Sequence, residues 1–164
     1  MECKMILELI IKYLIIILLI FCHEMGHILM CVIFFNCKEW KVQLGFGKVL
    51  FETRRFIVKP LIICGKILPN IDPEYYMNKS KLEKTMIPLG GPLFNILVLL
   101  LALPIALNNG AAIEGYSELF INCFKFFYKC NAGMLFWTLL PIYYKKGEPS
   151  DGRRILNIIR NQYN

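Results

Sequence analysis

Three long apolar segments dominate the chain, and more polar segments separate them. The first covers residues 1–36 and is almost wholly Ile, Leu, Met and Tyr between Met5 and Phe21. The second covers residues 86–107, and the third, which also contains Lys and Asn, covers residues 119–140. A helix needs about 20 apolar residues to cross a bilayer. The pattern therefore predicts an α-helical integral membrane protein with about three core transmembrane helices.

A different pattern follows the first apolar segment, over residues 37–68. From Lys38 to Gly47, apolar and polar residues alternate, which is the period of a half-exposed strand. We predict a small β region on the membrane surface between the first and second helices; an amphipathic loop resting on headgroups is the alternative. An exposed strand edge there could pair with an extended substrate. A proline at Val42 or Leu44 would then impair that pairing.

Composition and charge agree with a membrane protein. The 164 residues suffice for one domain, residues 1–164, and 57% of them are hydrophobic. The net charge is +7, but the basic residues flank the apolar segments and form no nucleic-acid motif. Residues 36–85 contain ten Lys and Arg, residues 108–117 contain none, and the tail after Pro141 contains five. The positive-inside rule then places the long loop and the C-terminus in the cytoplasm of a multi-pass protein.

The terminal and cysteine patterns exclude two other classes of protein. The first 22 residues lack a small-residue cleavage site, so we do not expect a signal peptide. The seven cysteines are odd in number and contain no C-x-x-C pair, which excludes a disulfide framework or a zinc ribbon. Free thiols in an apolar setting are expected instead.

The first apolar segment contains the sequence His23-Glu24-Met25-Gly26-His27. On one helix, histidines four residues apart lie on the same face, where two imidazoles can hold one Zn²⁺. Glu24 then lies beside the metal and can take a proton from water. Short H-E-x-x-H matches also arise by chance. Charged groups inside a membrane span, however, cost from about 2.5 kcal/mol upward and usually mark function.

His23 and His27 are the only histidines, so a third zinc ligand must be a carboxylate or a thiolate. Asp151 is the best candidate because it follows the third apolar segment and emerges on the same side as His27. Glu148 is the nearby alternative. Asp151 also has a purely structural explanation, since it or Ser150 would be a good N-cap for the last helix, within residues 141–164.

Taken together, these motifs resemble those of the site-2 protease family of intramembrane zinc metalloproteases, in a minimal bacterial-type core. The motifs are His23-Glu24-Met25-Gly26-His27, Gly90-Gly91-Pro92-Leu93-Phe94-Asn95, Leu139-Leu140-Pro141 and Asp151-Gly152-Arg153. The resemblance implies three catalytic helices, a membrane-surface β region and an active site near the cytoplasm. It further implies His23, His27 and Asp151 as zinc ligands and Glu24 as the general base. We expect a minimal core that lacks a PDZ-like or nucleotide-sensing extension.

The chain departs from the family pattern at two places. Thr138 stands where the family usually has Asn, three residues before Pro141, and that amide helps to hold the substrate or the developing oxyanion. Asn95 is the candidate to compensate. The connection from Pro141 to Asp151 is also longer than the family commonly has.

The sequence therefore predicts a zinc-dependent metalloendopeptidase of the bacterial cell membrane. It would hydrolyse a peptide bond within or next to a transmembrane segment of a membrane protein or peptide precursor. The alternative is a catalytically impaired zinc-binding membrane protein that acts as a binding module; metal transport fits poorly with one ligand cluster. The expected partners are the substrate and the bilayer, with no nucleic acid; a homo-oligomer or a regulatory membrane partner is compatible with the sequence.

Overall fold

A computed structural model describes residues 2–107, 117–144 and 147–162. This part of the chain is mostly helical and contains one small sheet. In chain order the elements are α1 (Glu2–Phe35), β1 (Trp40–Phe46), β2 (Phe51–Glu52), β3 (Phe56–Val58), β4 (Leu61–Pro69), α2 (Pro73–Met77), α3 (Lys81–Leu107), α4 (Glu118–Leu139) and α5 (Asp151–Ile159). The predicted turn at residues 108–116 lies outside the described residues.

Two of the described helices are long and apolar enough to cross a bilayer. They are residues Lys4–Phe35 in α1 and Lys81–Ile105 in α3. The third predicted span does form a helix, α4, but its lysines and asparagines leave it too polar to join these two. A membrane crossing by α4 therefore stays a prediction. Six of the seven cysteines are free thiols: Cys22, Cys31, Cys37, Cys64, Cys123 and Cys130.

Helices α1 and α3 meet in direct backbone contact at Gly26 and Gly90. A Cβ atom added to either glycine would collide with the carbonyl oxygen of the other. Small residues permit this kind of close approach between membrane helices. Because Gly26 lies between His23 and His27, the crossing point fixes which face of α3 the two histidines meet.

The sheet has the strand order β2-β3-β1-β4. Strand β1 pairs in parallel with β3 and antiparallel with β4, so both of its edges are occupied. Val42 and Leu44 are buried in the core. A proline at either position would break the centre of the sheet, and it would not test an exposed edge as predicted. Among the described strands, the free edge nearest the helices belongs to β4.

Part of the sheet lies alongside α1, and the sheet is not confined to the region beyond the C-terminal end of that helix. The Ile62 backbone N–H donates to the Tyr13 hydroxyl over 3.1 Å, and the rings of Phe21 and Phe56 are 6.0 Å apart. Tyr13 is about 33 Å from Phe35 along the helix, at 1.5 Å per residue. This end of the sheet is therefore level with the apolar part of α1, which differs from a sheet lying wholly on the membrane surface.

Helices α4 and α5 complete the fold around α3. The Asn131 side chain on α4 donates to the Asn95 backbone carbonyl over 3.1 Å, and both residues are fully buried. The start of α5 packs directly on the end of α4, because a Cβ added to Gly152 would collide with the Leu139 carbonyl. This contact brings the N-terminus of α5 back to the two histidines of α1.

Candidate metal centre

Three buried side chains, His23, His27 and Asp151, converge at the point where α1, α3 and α5 meet. The Nε2 atoms of His23 and His27 are 3.1 Å apart, and Oδ2 of Asp151 lies 3.1 Å and 3.4 Å from them. Tetrahedral ligands at the usual zinc distances of about 2.0–2.1 Å are about 3.3–3.4 Å from one another. Among the described residues this is the one group of three suitable ligands. The donor set and its spacing both fit zinc.

The orientation of the His27 ring is set by the backbone of α3. Its Nδ1 lies 2.8 Å from the Ile87 carbonyl oxygen and 3.2 Å from the Gly91 N–H, and these contacts require opposite tautomers. We assign the hydrogen to Nδ1 because the contact to Ile87 is shorter. A metal-binding histidine typically donates a hydrogen bond from the ring nitrogen that does not bind the metal. It leaves the lone pair of Nε2 directed toward Asp151 and His23.

Asp151 reaches the histidines because the neighbouring serine caps the helix. The Ser150 hydroxyl accepts from the Arg153 N–H over 3.1 Å and also donates to the Leu140 carbonyl. With the cap supplied by Ser150, the Asp151 carboxylate is free to point into the site. Burial alone would raise the pKa of the Asp151 carboxyl, but its hydrogen bonds with His23 and His27 hold that pKa below the usual range.

The Glu24 carboxylate is buried beside this cluster but does not belong to it. No hydrogen bond or ion pair to this carboxylate occurs among the described residues. Its side chain lies against Gly65 of β4, where an added Cβ would be 2.5 Å from Oε1. Strand β4 therefore passes directly over Glu24. A free carboxylate at this position can serve as a general base.

Gly91 of α3 forms one wall of the metal centre. A Cβ at this position would lie 2.5 Å from Nε2 of both His23 and His27. Only a residue without a side chain leaves room for the two rings. The sequence alone did not indicate that Gly91 would lie against the two histidines or that Gly65 would lie against Glu24. An isolated glycine within a strand, as at Gly65, is a known signal of close approach by another group.

Of the two carboxylates predicted as the third ligand, Asp151 lies beside the histidines and Glu148 does not. Glu148 lies away from the histidines and makes an exposed ion pair of 2.9 Å with Lys66 of β4. Asp151 is the carboxylate that meets the histidines. The ligand set expected from the resemblance is thus brought together in space.

The two predicted oxyanion candidates are held elsewhere. The Thr138 hydroxyl donates to the Leu135 carbonyl of its own helix over 3.2 Å. The Asn95 side chain is buried at the contact with α4, and its Nδ2 has no hydrogen-bond partner among the described residues. Neither group contacts the ligand atoms, and their roles in catalysis stay predictions.

Comparison with known proteins identifies the family. The model of peptidase family M50 matches residues 11–138, well over half of the chain. A Thermotoga maritima protein is 35% identical over 127 residues, which cover 66% of this chain and 25% of that protein. A Chlamydia pneumoniae protein is 28% identical over 123 residues, 62% of this chain and 20% of its own length. Both names assign these proteins provisionally to the zinc metalloproteases, and this chain spans about a fifth to a quarter of their lengths. The chain belongs to peptidase family M50, the site-2 protease family.

Proposed function

We propose that this chain is the catalytic core of an intramembrane zinc metalloprotease. It hydrolyses a peptide bond within or next to a transmembrane segment of a membrane protein or a peptide precursor. The observation that carries this proposal is the convergence of Asp151 from α5 with His23 and His27 of the apolar helix α1. Glu24 is buried beside them and has no hydrogen-bond partner among the described residues. A purely structural metal site has no need of that fourth group.

Each residue has a defined task in this proposal. His23, His27 and Asp151 hold Zn²⁺, which when bound polarises the scissile carbonyl and acidifies water. Glu24 accepts a proton from the attacking water and passes it to the leaving amine. Gly65 keeps the space beside Glu24 open, because any side chain there would displace the carboxylate.

Strand β4 supports the binding of an extended substrate. A substrate helix must unwind before attack, since helical hydrogen bonds enclose its peptide bonds. In the described sheet β4 has a neighbour on one side only, and its Gly65 contacts the catalytic base. An unwound segment that pairs with β4 would pass Glu24. N-methylation of alternate amides in a bound peptide should weaken binding at every second position, whereas equal effects at all positions would exclude strand pairing.

The proposed setting is the bacterial cell membrane. The apolar helices α1 and α3 support membrane insertion. The positive charge of residues 36–85 and of the C-terminal tail supports a cytoplasmic position for both. A homo-oligomer or a regulatory membrane partner is compatible with this arrangement.

Zinc content and cleavage, measured on the same preparations, test the proposal. The protein would be purified in lipid nanodiscs and incubated with a mixture of quenched peptides that have apolar centres. We expect Glu24→Gln to retain zinc and lose cleavage, and Asp151→Ala to lose both. If Glu24→Gln cleaves as well as the wild type, the proposed role of this residue is excluded.

The second candidate is a zinc-binding membrane protein without protease activity. The Thr138 hydroxyl favours it, because this group is bonded to its own helix and is not offered to a substrate. In that case the wild type would hold zinc, bind peptides and cleave none of them. The experiment above separates the two functions.

A further inference from the structure

A cavity of about 550 Å³ lies next to the metal centre, between the end of β4, α2, the start of α3 and α5. Its walls are mainly Ile, Pro, Tyr and Met side chains, and its volume is typical of a ligand pocket. The described residues that line it include two cations, Lys84 and Arg154, and no carboxylate. The cavity therefore favours an anionic group attached to an apolar chain.

Three walls of this cavity continue directly from the catalytic residues. The carbonyl of Ile87 is the acceptor for His27. Ile67 lies two residues along β4 from Gly65, which contacts Glu24. Pro149 and Arg154 flank Asp151 in sequence. A chain that leaves the catalytic centre along β4 thus enters the cavity.

Arg154 is the cation available to a ligand. Its half-buried guanidinium makes no hydrogen bond or ion pair with the described residues, although its charge acts on Glu24 at longer range. In contrast, the Lys84 ammonium donates to the Met77 carbonyl over 2.9 Å, and the Arg153 guanidinium lies over the Tyr143 ring at 4.6 Å. The planar guanidinium of arginine can bind a carboxylate through two parallel hydrogen bonds.

We infer that this cavity binds an acidic side chain of the substrate polypeptide and that Arg154 determines this specificity. The inference rests on the proposed function, because it makes the cavity a subsite of the protease. An extended chain advances about 3.3 Å per residue. The path from Gly65 past Ile67 to Pro69 then places the Asp or Glu about two to four residues from the scissile bond.

A phospholipid headgroup would also supply an anion, but the continuity of the cavity with β4 and Glu24 favours the polypeptide. A lipid headgroup could occupy a cavity that is separate from Glu24, whereas a bound substrate chain must extend continuously from Glu24 into the cavity. The lipid composition of the assay can therefore separate the two sources.

Peptide binding to zinc-loaded protein tests the inference without requiring cleavage. Glu24→Gln protein in neutral phosphatidylcholine nanodiscs would be titrated with fluorescent apolar peptides that carry Glu, Gln or Lys at one scanned position. We expect the Glu peptide to bind about tenfold more tightly than the Gln peptide at one position, which corresponds to about 1.4 kcal/mol. The Lys peptide should bind least tightly there. Adding Arg154→Gln should bring the ratio of Glu to Gln affinities close to one, and Arg154→Lys should restore part of it.

Arg160→Gln is the matched control. Arg160 is the C-cap residue of the same helix, is exposed and does not line the cavity, so the preference for Glu should survive its replacement. Equal affinities for Glu and Gln peptides at every position would overturn the inference, as would a preference that Arg154→Gln leaves unchanged in a zinc-loaded protein. If Arg154→Gln fails to fold, the relative affinities of the Glu, Gln and Lys peptides for the Glu24→Gln protein decide whether the cavity prefers an acidic side chain.

Two outcomes separate this inference from the proposed function. If the wild type binds Glu peptides selectively but cleaves no peptide, the subsite for an acidic side chain is supported and the proposed protease activity is contradicted. Cleavage without any preference for acid would support the protease and overturn the subsite. Loss of the preference on addition of phosphatidylglycerol to the nanodiscs would assign the cavity to a lipid headgroup and overturn the peptide assignment.

Discussion

Replacing Gly91 by alanine should weaken zinc binding at the candidate metal centre while leaving the fold intact. The new methyl carbon would lie 2.5 Å from Nε2 of both His23 and His27. Favourable contacts between such atoms occur at about 3.5–4.0 Å, so the rings must move by about 1 Å. Zinc ligands tolerate deviations of only about 0.2 Å. The rings can rotate away without moving the backbone, so the cost falls on metal binding.

The expected magnitude follows from smaller perturbations of metal sites. Loss of a group that merely orients a ligand lowers metal affinity by about 10–100-fold. Because the methyl group displaces two ligands directly, we expect a loss of about 100-fold or more. Alanine is favoured over glycine inside a helix by about 0.5–1 kcal/mol, so α3 itself should not be weakened by the change.

The assay is zinc affinity by competition with a chelator, together with helix content by circular dichroism. Gly133→Ala is the matched control, because Gly133 lies inside α4 and a Cβ there would meet nothing within 4 Å. The control should bind zinc like the wild type and be equally or more stable. Wild-type zinc affinity in Gly91→Ala would refute the placement of the two rings against α3.

Three further variants probe the other contacts of the site. Gly65→Ala should keep zinc and lower kcat by displacing Glu24; unchanged turnover of quenched peptides would contradict the contact between β4 and the base. Gly26→Ala should lower the free energy of unfolding by about 1–3 kcal/mol, because the methyl group collides with the backbone of α3; a denaturant midpoint equal to that of the wild type would argue against this crossing. Ser150→Ala should cost about 0.5–2 kcal/mol through loss of the helix cap. It should also weaken zinc binding, and a loss of stability alone would mean that the cap does not position Asp151.

The pairing of His23 with His27 in the candidate metal centre could be predicted from the sequence because local helix geometry fixes it. His23 and His27 are separated by one helical turn, so any continuous helix brings their rings together. The long apolar segment around them predicts such a helix, and α1 confirms it. Asp151 required more, since it lies 124 positions after His27 in sequence. Its place after the third apolar segment suggested it, and the motif pattern of a family agreed.

The sheet was harder to predict because its strand order depends on contacts between distant residues. The alternation around Val42 correctly indicated a strand, but alternation cannot distinguish a central strand from an edge strand. Strand β4, which contacts Glu24, contains an apolar run with one glycine and shows little alternation. Its place beside α1 depends on contacts such as that of Ile62 with Tyr13, and no local pattern encodes these.

The metal centre is positioned more by close backbone contacts than by polar networks. The His27 ring has an orienting hydrogen bond to Ile87, but Nδ1 of His23 is buried without a partner among the described residues. Among the described residues, the His23 ring is therefore positioned by the close approach of Gly91, by Asp151 and by the neighbouring His27 ring. Apolar helices offer few side chains that could donate or accept, so steric contact has to replace the missing hydrogen bonds. Sensitivity to a single added methyl group follows directly from that arrangement, and it should be greatest at Gly91.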